Sequence, residues 1–339
     1  MTNKRWVAIG LSIIVLIVSL ILPAAASIFM ADEEDNEDKA TDFFTAFIDD
    51  AQAETVVREG DGFNRIALID VQGEMINQQA APFAQGGYNH TLLLDQLEQI
   101  KTDDTVKAIL LRVNTPGGGV YESAELTDKI KEVKEARDIP VYTVMESMAA
   151  SGGYYISAQS EKIFATKETL TGSIGVIMQG FNVSGLLDKL GIEDTTIKSG
   201  DLKDLGSTTR PNTEEEIAVL QELVDGMYER FVSEIITGRD MSREQVLDLA
   251  DGRIYSGAQA ETLGLVDEIG YFDDALATLE ADFDLSGAEV FQYEGSSLTM
   301  FDQFFLSMKQ LLPQAESTPL NSIGQTEEAP TFKYLYRGL

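Results

Sequence analysis

The apolar positions of this chain follow two different spacings. The runs RIALIDVQGEMI from Arg65, VKAILLRVN from Val106 and IPVYTVME from Ile139 are mostly apolar, with consecutive apolar residues at their centres, and KIFATKE from Lys162 reads as a short strand. A run without alternation predicts a strand buried on both faces. Gly73 ends the first of them. Between these runs the apolar residues recur every three or four positions. TLLLDQLEQIKTD places Leu93, Leu94, Leu97 and Ile100 on one helical face. GGGVYESAELTDKIKEVKEA, from Gly117, starts in glycines and becomes helical, and SGGYYISAQS, from Ser151, reads as a shorter helix. Strands alternating with helices predict an α/β fold of stacked βαβ units on a mostly parallel sheet.

The C-terminal part is more helical. Thr213 and Glu216 form a capping-box pattern before Ile217, Leu220, Val224, Tyr228, Phe231 and Ile235, and Ser242 with Gln245 repeats the start signal. GRIYSGAQAETLGLVDEIGYFDDAL reads as strand, helix, strand, helix. Beyond residue 285 the pattern weakens, and the tail TFKYLYRGL, residues 331–339, is basic and aromatic. Such a tail is either a frayed end or a segment that docks on an acidic surface of its own assembly.

At the other end, Lys4 and Arg5 precede 25 uncharged residues, 6–30, and ADEEDNED follows with six acids in eight positions. About 20 apolar residues span a bilayer as a helix. Positive charge before the run and none after predicts a single-pass anchor in the cell membrane, with a cytoplasmic N-terminus and an extracytoplasmic body. PAAAS could instead serve as a signal-peptide cleavage site, which also implies export. The expected organisation is a cytoplasmic N-terminus (1–5), an anchor (6–30), an acidic stalk (31–60), a catalytic domain (61–285) and a C-terminal extension (286–339).

Charge and composition remove several classes. The 339 residues carry 25 Lys and Arg against 57 Asp and Glu, a net charge of −32, which argues against a nucleic-acid partner. The acidic surplus is either an ordinary solvated surface or an adaptation to a salty or alkaline exterior. Without cysteine there are no disulfides, thiol catalysis or thiolate metal sites. With one histidine, His90, no zinc site is expected. A Ser-His-Asp triad would have to use His90, which sits in the loop GGYNHT before a helix, where capping or exposure is commoner.

Three stretches could carry chemistry. In SMAASGGYY, residues 147–155, Ser151 stands between a strand and a helix, a position that suits a nucleophile and an N-cap equally. In VNTPGGGVYES, residues 113–123, a strand runs into three glycines whose N–H groups could hold a developing negative charge. A tight turn needs the same glycines, and no Lys-Ser/Thr follows to make a phosphate loop. In KSGDLKDLGS, residues 198–207, Lys203 lies between Leu202 and Leu205. Surface pairing is the ordinary role of a lysine; a base must be neutral. Without a histidine, the remaining serine-hydrolase arrangement is a serine activated by lysine.

VNTPGGGVYESAE, SMAASGGYYISA, TLTGSIGVIMQ, IKSGDLKDLGS and DGRIYSGAQAETLGLVDEIG together, in this order from about residue 65 to 275, resemble the bacterial signal peptide peptidase A family in its short form. The resemblance implies a ClpP/crotonase-like fold and a serine endopeptidase without metal or cofactor. It implies Ser151 as nucleophile, Lys203 as general base, Ser173 as the residue that orients Lys203, and backbone N–H groups of Gly118 and Gly152 as the oxyanion hole. It also implies a homo-oligomeric, dome-like ring in which serine and lysine can come from adjacent subunits. The expected substrates are remnant signal peptides and other unfolded or apolar peptides at the outer face of the membrane. Alternatives are a membrane serine protease acting on one membrane-protein partner, an acyl-CoA enzyme sharing the glycine-loop logic, and a non-enzymatic membrane scaffold.

Overall fold

A computed structural model of the protein describes residues 54–77, 87–294 and, as backbone, 332–335. The apolar run 6–30 lies outside the described residues; among those residues no helix is long and apolar enough to cross a membrane. In chain order the elements begin with β1 (Glu54–Arg58), β2 (Asp61–Gln72), α1 (His90–Thr102), β3 (Val106–Thr115) and β4 (Gly117–Gly119). Next come α2 (Val120–Arg137), β5 (Val141–Ala150), α3 (Gly152–Ser157), β6 (Lys162–Ala165), β7 (Leu170–Gly172) and β8 (Ile177–Met178). The C-terminal part holds α4 (Ser184–Leu190), α5 (Glu214–Arg239), α6 (Arg243–Leu249), β9 (Ile254–Ser256) and α7 (Gly257–Thr262). It ends with β10 (Glu268–Ile269), α8 (Phe272–Asp282), β11 (Ala288–Tyr293) and β12 (Phe332–Leu335).

Nine strands form the main sheet, in the order β1-β11-β2-β3-β5-β6-β10, with β7 paired to β5 and β9 to β7. The ladders from β11 through β10 are parallel, as is β5 with β7; β1 with β11 and β7 with β9 are antiparallel. This is the mostly parallel α/β sheet that the continuous apolar runs predict, and the reason lies in its two faces. Ile69, Val71, Ile109, Leu111, Val141 and Met145 point to one side and pack with α1, α2 and α3. Ile66, Leu68, Ala108, Leu110, Tyr142 and Val144 point to the other and meet Ala275, Leu276 and Leu279 of α8. Because both faces of their central residues are covered, these strands show no regular polar alternation, and the polar residues they hold are paired, as Asp70 is with Arg112.

Leu93, Leu97 and Ile100 bury the expected face of α1, with Leu94 half-buried. Both capping boxes form: Thr213 Oγ1 accepts from Glu216 N and Ser242 Oγ from Gln245 N, each at 3.2 Å. The face expected on α5 is only partly buried. Phe231 and Ile235 are in the core, where Phe231 meets Tyr155 edge-on with centroids 5.0 Å apart, but Ile217 is 54% exposed. The N-terminal half of α5 therefore carries apolar residues beyond the core. Two short strands come from stretches without a strong pattern: β1, from the end of the acidic segment, and β11, beyond residue 285, which inserts between β1 and β2.

Leu110, fully buried in β3, should cost about 2–5 kcal/mol when changed to Ala. Phe63, 83% exposed in β2, should cost less than about 0.5 kcal/mol. Chemical denaturation of the two variants beside the parent tests this assignment of the core.

Candidate active site

Strand β5 delivers Ser151 to the C-terminal edge of the parallel sheet, where open α/β sheets bind ligands. The residue sits at φ 55° and ψ −114°, outside the regions an L-residue ordinarily adopts. Such a conformation costs of order 1–3 kcal/mol and persists only where the surroundings fix it. Here the backbone fixes it: Ser151 N–H donates to Gly172 O at 2.7 Å, and Ser151 C=O accepts from Tyr155 N–H at 2.9 Å. Its side chain makes no cap bond to α3, so the N-cap reading of this serine does not hold.

The rest of SMAASGGYY is packing that supports this turn. Tyr154 donates its hydroxyl to Leu265 O at 3.0 Å, and burial pushes its phenol well above the ordinary range. A Cβ on Gly153 would stand 2.7 Å from Thr115 Cγ2, so only glycine lets α3 approach β3 this closely.

The triple glycine is not a loop but a strand, β4, which bridges to Met75. Met75 N–H donates to Gly117 O and Gly119 N–H to Met75 O, both at 2.8 Å. Alternation along a strand then turns the N–H of Gly118 to the opposite edge, toward β12. A Cβ on Gly118 would lie 2.1 Å from Met75 O, which explains the glycine without appeal to φ. Thr115, completely buried, holds the start of this strand: its Oγ1 accepts from Gly117 N–H at 3.0 Å and donates to Gly73 O. The sequence reading missed Thr115; its position directly before Pro116 and the glycines is the signal that was available.

Strand β12 fills the edge that Gly118 faces. It runs antiparallel to β4, with Tyr334 opposite Gly118, and antiparallel to β8, with Lys333 opposite Ile177. It also passes within 8 Å, Cα to Cα, of α3, the helix that starts one residue after Ser151. The basic tail thus adds a strand to the glycine segment of its own chain, an arrangement the sequence reading did not foresee.

Ser173 occupies the matching position on the neighbouring strand. Ala150 pairs with Gly172, so Ser151 and Ser173 follow directly at two adjacent parallel strand ends. Ser173 also has a positive φ, 50°, and its N–H donates to Arg253 O at 2.7 Å. Lys203 stands elsewhere: it is exposed, in a turn where its N–H donates to Gly200 O at 3.1 Å. Among the described residues, neither the Ser151 hydroxyl nor the Lys203 amine has a hydrogen-bond or ion-pair partner. The structure therefore brings Ser151 and Ser173 to two adjacent strand ends, with Gly152 starting a helix that packs on the Gly118 strand; both serines are buried, and Lys203 makes no contact to Ser151.

His90 is engaged away from both serines. It is buried at the start of α1, with Nδ1 against the Tyr88 hydroxyl and Nε2 2.7 Å from Glu125 Oε2. Burial, then the nearby Glu122 and Glu125 carboxylates, push the Tyr88 phenol above its ordinary range. No hydrogen bond joins this network to Ser151 among the described residues, so a triad through His90 is excluded. No group of three or more His, Asp or Glu suited to a metal occurs among them either.

Residues 133–286 match peptidase family S49. The Enterococcus faecium protein named "Putative signal peptide peptidase SppA" is 41% identical over 348 residues, spanning 100% of both chains. Protease 4 of Salmonella typhi is 32% identical over 271 residues, 78% of this chain and 43% of that protein. The chloroplastic serine protease SPPA of Arabidopsis thaliana is 31% identical over 219 residues, 64% of this chain and 32% of that protein. With the sheet described above, these likenesses define a serine peptidase of the ClpP/crotonase-like α/β class. The chain belongs to peptidase family S49.

Gly118→Ala forces Met75 or the strand itself to move, and peptide hydrolysis should fall by about a hundredfold or more. Gly62→Ala, where nothing lies within 4 Å, should leave the rate unchanged. A kcat measurement on both variants checks the role given to β4.

Proposed function

We propose that this protein is a membrane-anchored endopeptidase with a Ser-Lys dyad that degrades remnant signal peptides and other unfolded or apolar peptides outside the cytoplasmic membrane. The observation that carries the reading is β12: an extended segment lies between Gly117–Gly119 and Ile177–Met178, alongside the helix after Ser151. A cleft that adds a strand recognises peptide backbone, and does so with little regard to sequence. The name of the Enterococcus relative supports the substrate class, and the charge pattern around residues 6–30 supports the anchor and its orientation.

In this reading Ser151 Oγ attacks the substrate carbonyl while neutral Lys203 takes its proton. The oxyanion is held by the N–H groups of Gly118 and Gly152, each worth about 3 kcal/mol. As the C–N bond breaks, the lysine ammonium returns the proton to the leaving amine. Water, deprotonated by the same amine, then hydrolyses the ester on Ser151. Ser173, on the strand end beside Ser151, orients the amine.

The lysine comes from a second copy of the chain. Lys203 follows a stretch rich in exposed apolar side chains: Phe181 is 75% exposed, Leu186 57%, Leu190 64% and Ile197 98%. Exposed apolar side chains concentrated in one segment are costly in water and suit an interaction face. Packed on a neighbour in a closed ring, it would carry Lys203 to that neighbour's Ser151.

Three outcomes are expected. Ser151→Ala should lower kcat on a fluorogenic peptide with an apolar P1 residue by at least about a thousandfold; retained activity would contradict the reading. Because the base is neutral lysine, kcat/KM should rise with pH from neutral into the alkaline range, and a maximum well below neutrality would contradict it. Removal of residues 331–339 clears the strand site beside Gly118, so KM for peptide should fall; an unchanged KM would mean that substrate binds elsewhere.

A further inference from the structure

The residue after Lys203 is Asp204, and a free carboxylate there would draw the lysine amine and hold it protonated. Instead, Asp204 is already occupied. Lys198 Nζ donates to Asp204 Oδ1 at 2.7 Å and to Asp201 O at 2.8 Å. Arg210 grips the same carboxylate with two nitrogens, Nε to Oδ2 at 2.8 Å and Nη2 to Oδ1 at 2.6 Å. Two of the chain's 25 basic residues thus meet on one acid while the lysine beside it has no ion pair among the described residues.

The contacts continue into the scaffold. Arg210 Nη1 donates to Glu216 Oε2 at 2.8 Å and to Pro211 O at 3.1 Å. Glu216, only 1% exposed, also accepts from Thr213 N–H at 2.7 Å, closing the capping box that starts α5. The turn itself is tied by Ser207 N–H to Asp204 O at 3.0 Å. A line of bonds therefore runs from the first turn of a 26-residue helix to the residue next to Lys203. Isolated surface ion pairs contribute little, but a bidentate arginine in a connected network holds geometry.

We propose that Lys198 and Arg210 are positioning residues for Lys203: they anchor its turn to α5 and neutralise Asp204, so that the lysine amine meets no free carboxylate. The proposal rests on the reading of Lys203 as the base. The Arg210 contact, then Lys198, hold the Asp204 carboxyl well below the usual carboxylate range. The Arg210 contact and the Thr213 N–H hold Glu216 down to about 2. Both acids thus stay ionised, and the clamp closed, throughout the neutral and alkaline range. The other charged groups around this turn are Asp194, engaged by Thr196 and Thr209, and the exposed Asp201, Glu214 and Glu215.

The test is the pH profile of kcat/KM in the assembled, full-length protein. Arg210→Met should shift the acid limb upward by about half a unit or more, roughly a threefold loss at a pH on that limb. The shift should be smaller in an Asp204→Asn background, because part of it comes from the unmasked carboxylate. Arg210→Lys should recover part of the parent profile. Lys198→Met should move the limb in the same direction without touching α5, and it decides the question if Arg210→Met fails to assemble. An acid limb that stays in place in these variants, or moves just as far in the Asp204→Asn background, overturns the proposal. Lys203→Ala separates the two levels: if it stays active, the dyad itself is wrong. If it is inactive while the limb does not move, only the clamp is wrong.

Discussion

The site depends on one backbone constraint, the parallel pairing of β5 with β7 at their C-terminal ends. Ala150 and Gly172 are partners, and past that pair the chain leaves the sheet at Ser151 and Ser173, both with positive φ. The bond from Ser151 N–H to Gly172 O keeps the first turn in a conformation that serine alone would not choose. The core holds the ladder: Tyr154 of α3 bonded to Leu265 O, Phe231 against Tyr155, and Thr115 beneath Gly153.

The second constraint is the contact of Gly118 with Met75. Because no Cβ intervenes, β4 can share an edge with residue 75 and still turn one N–H outward. The outward edge is a strand edge, and an open strand edge accepts extended chain. β12 takes that place in this protein. In the proposed mechanism, peptide recognition and oxyanion binding are two uses of the same three glycines.

Much of the sheet was legible because fully buried parallel strands leave no polar alternation. Val106–Thr115 and Val141–Ala150 stand in the run of residues that marks them. The capping boxes at Thr213 and Ser242 were legible because they are local. What escaped depends on contacts distant in sequence. β4 is a strand only through Met75 and β12, and β11 gains its place from partners more than 200 residues away in β1 and β2. Ser151 was singled out by its small neighbours, but its φ follows from Gly172. Lys203 was singled out by family likeness, and its ion-paired neighbours lie at Lys198, Arg210 and Glu216, too irregularly spaced to form a pattern.

The account stands or falls on whether Ser151 works with a lysine from another copy. The direct measurement mixes two inactive variants, Ser151→Ala and Lys203→Ala, under conditions that let subunits exchange, and follows peptide hydrolysis. Partial recovery is expected, because some neighbouring pairs then join an intact Ser151 to an intact Lys203. No recovery, with subunit exchange verified by a fluorescent label on each variant, would contradict a dyad built between copies.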